Sequence, residues 1–154
     1  MIFCMDLYDY YLEIVKERLY QPELHGYKER HSAQYALYYC MLNTLKLYAV
    51  YVPHITEYIY QEFFRQNENS ISIHNLYWET EESLDNDIIL FGEKLKEIIA
   101  NTRKYKSENA LSMKSEIKEI VINTDEKFME LFKQTINDIK ACCKAKEIIF
   151  RAQW

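Results

Sequence analysis

Residues 83–106 read SLDNDIILFGEKLKEIIANTRKYK, and the spacing within them decides the fold class. Leu84, Ile88, Phe91, Leu95, Ile98 and Thr102 step by four, three, four, three and four, which puts them on one stripe of an α-helix running from Ser83 to about Lys106. Glu81, Glu82, Asp85 and Asp87 crowd its start, where the helix dipole favours negative charge. That explains four acids without invoking acid–base chemistry. The basic end, Arg103-Lys-Tyr-Lys106, suits the opposite pole.

The chain upstream follows the same grammar. Leu7, Tyr11, Ile14, Val15, Arg18 and Leu19 predict a helix from Asp6 to Tyr20, ended by Pro22, and Gln21 to Arg30 reads as a loop around Pro22 and Gly26. A second helix opens near Ser32. Its stripe of Tyr35, Tyr39, Leu42, Leu45, Ala49 and Val52 is widened by Tyr38, Met41 and Tyr48, which implies burial on nearly all sides. Pro53 removes a backbone donor and must stop or kink that helix. Another begins at once, with Thr56 and Glu57 in its first turn and Ile59, Phe63 and Phe64 inside. Ile71, Ile73, Leu76 and Trp78 then alternate with polar residues and predict an extended segment.

Beyond Ser107 the pattern changes. Glu116–Ile122 and Glu147–Ala152 are strand candidates, separated by a helix from Thr124 to about Lys144 capped by Thr124 and Asp125. Strand, crossover helix and strand make a βαβ unit. The expected organisation is therefore mostly α: a helical bundle over residues 1–110 and a small α/β appendage over 111–154.

Composition removes several functions. With 2 glycines and 2 prolines in 154 residues, Gly26 and Gly92 being far apart, neither a dinucleotide fingerprint nor a phosphate-binding P-loop can be written. Cys4, Cys40, Cys142 and Cys143 contain no C-x-x-C pair, so structural zinc is not expected, and a disulfide scaffold is improbable at this size. The acidic start, with Asp6 and Asp9, lacks the basic region of a signal peptide, and the cytoplasm is the natural compartment. Ala33–Val52 is nearly as long as a membrane span, yet Gln34, Asn43, Lys46 and its tyrosines suit a buried helix better. His54-Ile-Thr-Glu57 is a single, reversed echo of a helical metal motif, and no cofactor is expected. The 14 tyrosines are read first as helix-interface residues. A net charge of −5 argues against a dedicated nucleic-acid binder, DNA in particular, but leaves room for a local basic patch.

Such a patch exists. Between residues 103 and 118 stand five cations, Arg103, Lys104, Lys106, Lys114 and Lys118, against Glu108 and Glu116. One reading is helix capping on a solvated face. The other is a phosphate-contacting ridge on which Arg103 and Lys106, three apart, share a side, with Lys104 beside them and Tyr105 as a stacking ring. Lys16 and Arg18 form a weaker second candidate, offset by Glu13 and Glu17.

Four ordered stretches carry a resemblance. Tyr11-Leu-Glu-Ile-Val-Lys-Glu-Arg-Leu-Tyr20, Leu45 to Gln61 with Pro53-His-Ile-Thr-Glu57, Ser72-Ile-His-Asn-Leu-Tyr-Trp78, and Arg103-Lys-Tyr-Lys-Ser-Glu108 with Leu111-Ser-Met-Lys-Ser-Glu-Ile117 together resemble the C-terminal region of the valyl-tRNA synthetases. That resemblance implies a class I synthetase anticodon-binding helical bundle with its first helix missing, followed by a small α/β appendage reaching towards tRNA. No His-Ile-Gly-His signature or nucleotide-binding Lys-Met-Ser-Lys-Ser loop is present, so the chain reads as an excised piece without catalysis of its own. ATP would serve only the parent enzyme. The implied partners are a tRNA, valine-specific by the resemblance, and the parent's catalytic domain. The resemblance carries no base-reading residue onto this sequence, but it tips the reading of the basic patch towards RNA contact through Arg103, Lys104 and Lys106, with Lys114 and Lys118 behind them and Tyr105 for stacking. The alternative is a helical protein-interaction or regulatory module that keeps this fold without binding tRNA.

Overall fold

A computed structural model describes residues 6–78 and 85–152. Cys4, Glu81, Glu82, Ser83 and Leu84 lie outside the described residues, so the expected helix start at Ser83 does too. The chain divides into two compact units, Met1–Tyr27 with Ser83–Trp154, and Lys28–Glu82.

In the first unit, Asp6–Tyr11 winds as a π-helix and continues as α1 (Leu12–Tyr20). Pro22 then opens the single turn α2 (Pro22–His25), because a proline at the first helical position forfeits no hydrogen bond. Gly26, at φ 104°, closes it in a conformation that glycine alone adopts cheaply. One residue suffices for the turn. The loop expected over residues 21–30 is therefore mostly helical, and the next helix, α3 (Tyr27–Tyr48), starts five residues before Ser32.

The long helix of this unit, α5 (Asn86–Glu108), is capped by Asp85, whose side chain accepts from the amides of Asp87 (2.9 Å) and Ile88 (3.4 Å). It buries Phe91, Leu95, Ile99, Thr102 and Lys106. The buried stripe departs from the expected one at two positions: Ile88 is 60% exposed, and Ile99 is buried in place of the expected Ile98, which is half-buried. Against these residues pack β1 (Ile117–Thr124), α6 (Glu126–Gln134), α7 (Ile136–Cys143) and β2 (Ala145–Ala152), through Ile122, Phe128, Phe132, Ile139 and Ala145. Phe91 meets Phe132 edge-on at 4.8 Å between centroids. Each buried ring of this kind contributes about 1.5–3 kcal/mol.

The two strands pair in parallel, with Ile117 opposite Ala145, Ile120 opposite Ile148 and Ile122 opposite Phe150, which is the expected βαβ unit. Its crossover is two helices rather than one. The break falls at Thr135, whose hydroxyl donates to the Leu131 carbonyl (3.1 Å), and the first of the two helices begins at Glu126 with no side-chain bond from Asp125. α7 ends on Lys144 at φ 54°, in the left-handed region. The boundary expected between residues 110 and 111 falls inside this unit, because the stripe of α5 shares one core with the βαβ residues.

The second unit pairs α3, from Lys28 onward, with α4 (Pro53–Phe63), Pro53 occupying the first helical position as expected. Leu42, Leu45, Ala49, Tyr60, Phe64 and Ile73 form its core. Tyr60, 0% exposed, donates its hydroxyl to the Ser70 carbonyl at 2.8 Å. The expected extended segment is instead a short 3₁₀ turn, Ile73–Asn75, in which Ile73 is buried while Ile71 and Trp78 are exposed. A carboxylate dictates this: Glu57 Oε2 accepts from Ser72 Oγ (2.8 Å) and the Ile73 amide (3.1 Å), folding the segment back. Burial of α3 on nearly all sides is also corrected, since Tyr35, Met41 and Tyr48 are exposed. One partner helix covers only one strip of it. No helix among the described residues is long and apolar enough to cross a membrane.

Candidate nucleic-acid interface

The six residues singled out at the end of α5 and beyond do not form one ridge. Lys106 is 2% exposed, and its Nζ donates to the carbonyls of Met113 and Cys143, both at 2.9 Å. The outward, ridge-top position expected for Lys106 is thereby corrected: its turn of α5 faces the core, and the ammonium pins the loop after α5 to the end of α7. Arg103 is half-buried, donates from Nη2 to the Asp9 carbonyl (2.9 Å) and lies 5.3 Å from the Tyr10 ring centroid. Lys104 is exposed, 3.9 Å from Glu108. Tyr105 is exposed too, but on another side, where it lines a hollow with Ile98, Ile117 and Val121. Lys114 and Lys118 are exposed.

Tertiary structure regroups the cations around a cleft of about 670 Å³ between α1, α5 and the end of α7. Arg103, Lys106 and Lys114 line it together with Lys16 and Lys144. Glu13 and Glu17 stand on the α1 wall; Glu13 pairs with Lys16 at 3.3 Å and Glu17 with His25 at 2.9 Å. Burial, with Cys143 adjacent, pushes the Cys142 thiol up to about 11, and burial raises Cys143 as well. Both lining thiols are neutral at physiological pH and add no negative charge. Arg18, the companion of Lys16, is turned away from this use by the buried Asp138, to which its Nε donates at 2.7 Å and its Nη2 donates as well.

Lys144 was not legible as a site residue. The other cations of the cleft lie 30 or more positions away in sequence, and the left-handed end of α7 brings Lys144 to them. In the second unit, the His54-Glu57 echo resolves differently, since the Glu57 carboxylate is engaged by Gln61, Ser72 and the Ile73 amide.

One unit joins a parallel βαβ piece to a long helix and gathers lysines and an arginine around a cleft, the other is a helical pair with a Pro53-initiated helix, and family comparison gives the chain a class. The family model described as "Anticodon-binding domain of tRNA ligase" matches residues 1–122, and the chain belongs to that family. Among curated relatives, the valine–tRNA ligase of Thermococcus kodakarensis is 35% identical over 85% of this chain and 14% of its own length. That of Rickettsia akari is 36% identical over 99% of this chain and 18% of its own, and that of Methanopyrus kandleri is 33% identical over 93% and 15%. The chain thus spans less than a fifth of the relatives it matches.

Proposed function

We propose that this chain is the tRNA-binding, anticodon-recognising piece of a valine–tRNA ligase. Its work is binding without chemistry: it positions a valine-specific tRNA for ATP-dependent aminoacylation by a separate catalytic domain of the parent, in the cytoplasm, with no cofactor of its own and no DNA or membrane partner. The observation that carries this reading is the family match over residues 1–122 together with the valine–tRNA ligases aligned along nearly the whole chain. The exposed cations Lys104, Lys114 and Lys118 support it, because phosphate contacts supply most of the affinity for RNA and none need be buried.

The test is a salt titration of tRNA binding, with the parent compared to Lys104→Gln, Lys114→Gln and Lys118→Gln. Each lost phosphate contact lowers the slope by roughly 0.7–0.9 log units per log salt, at any tRNA sequence. A parent chain that fails to retain tRNA even at low salt would refute the reading. It would favour a protein-interaction module instead, to which the exposed Val50, Tyr51, Tyr58 and Phe63 of the second unit are suited.

A further inference from the structure

The cleft between α1, α5 and the end of α7 has the features of a built anion site. Five cationic side chains line it against two carboxylates, and both carboxylates are already engaged, Glu13 by Lys16 and Glu17 by His25. Its floor is the unusual part. Lys106 is 2% exposed, and its Nζ is held by two neutral carbonyls, those of Met113 and Cys143. An ammonium has three donors, and only two are spent here, on the carbonyls of Met113 and Cys143. A buried cation without a counter-ion is costly, and an anion entering the cleft would relieve that cost. The rim carries Arg103, Lys114 and Lys144, with Lys114 and Lys144 exposed. Tyr20, strongly exposed, stands at the edge as an apolar face for a base. At about 670 Å³ the space exceeds a lone phosphate and suits a nucleotide.

We propose that this cleft seats one phosphate of a bound RNA strand, with Lys106 as its buried floor and Arg103, Lys114 and Lys144 as its rim. The assignment rests on the tRNA-binding reading and adds to it a particular place, assembled from α1, α5 and α7, where one nucleotide is held more closely than the rest.

The experiment follows backbone amide signals of the chain by NMR during titration with AMP, with adenosine, and with a tRNA transcript. Lys144→Gly removes a rim charge while leaving the left-handed helix end in the conformation glycine prefers. Lys114→Gln and Lys16→Gln remove exposed charges that support no core contact. AMP, but not adenosine, should move the amides of Met113, Lys114, Cys143 and Lys144. The Lys114→Gln/Lys144→Gly pair should weaken AMP at least about fivefold and lower the tRNA salt slope by about 0.7, the worth of one single-strand phosphate. Adenosine acting as AMP does would overturn the phosphate assignment. A pair variant that binds tRNA with the parental slope, the cleft amides unmoved, would overturn the seat and leave the tRNA-binding reading standing. Cleft amides that respond to AMP in a chain that does not bind tRNA would overturn the RNA assignment and the proposed function together.

Discussion

Replacing Lys106 by methionine keeps the length and apolar stem of the side chain and deletes only the ammonium. Two carbonyl acceptors then lose their donor, each bonded at 2.9 Å in the parent. The Met113 carbonyl sits in a loop whose residues are exposed, so water can replace the lost bond there at little cost. The Cys143 carbonyl belongs to a residue 2% exposed, and its loss is not made good. A bond from a charged donor contributes about 1.5–3 kcal/mol and an orphaned buried carbonyl costs about 1–3, offset in part because the ammonium no longer has to be desolvated. The balance is a destabilisation of about 2–3 kcal/mol, or roughly 5–10 °C in Tm for a chain of this length. Urea and thermal unfolding by circular dichroism read it directly, with Lys104→Met as the matched exposed control, expected to fall within about 0.5 kcal/mol of the parent. If Lys106→Met proves as stable as Lys104→Met, the buried ammonium does not hold the loop to α7 and the packing argument is wrong. A variant carrying alanine at Arg103, Lys104 and Lys106 together would therefore mix a loss of stability with any loss of binding.

Arg18→Met should cost about 3–5 kcal/mol in urea unfolding, since Asp138, 2% exposed, loses the guanidinium that neutralises it. Arg18→Met with Asp138→Leu should recover much of that, and a double variant no more stable than the single one would show that the pair's charge balance is not what matters. Burial opposes ionisation of Glu57, yet hydrogen bonds from Gln61, Ser72 and the Ile73 amide, with the charge of His74, outweigh it and hold its carboxyl below the ordinary range. Its contribution is thus fully present above an unfolded carboxyl value of about 4.3 and is lost as pH falls through the lower folded value. The urea midpoint of the parent should fall more steeply than that of Glu57→Gln between about pH 5 and 3, and parallel curves would refute the claim.

The sequence by itself determined the element types and most of their order. A chain this poor in glycine and proline has few ways to turn, and a four-three apolar step can be satisfied only by a helix, so α5, the Pro53 start of α4 and the parallel βαβ pair were all legible. Those are local properties, set by the spacing of neighbours on one strand or helix. What tertiary structure alone decided was which faces are covered and which charges are free. α3 carries a wide apolar stripe, but how much of it is buried depends on how many helices lie against it, and Tyr35 and Tyr48 remain exposed. Arg103 and Lys106 look alike in sequence, three apart on one helix. The end of α7 arrives over the second and not the first, placing the Cys143 carbonyl on Lys106 and Lys144 at the cleft's rim. Solvation of a charge depends on every chain segment that approaches it, including those separated by 30 or more residues, and a one-dimensional pattern holds no record of that approach.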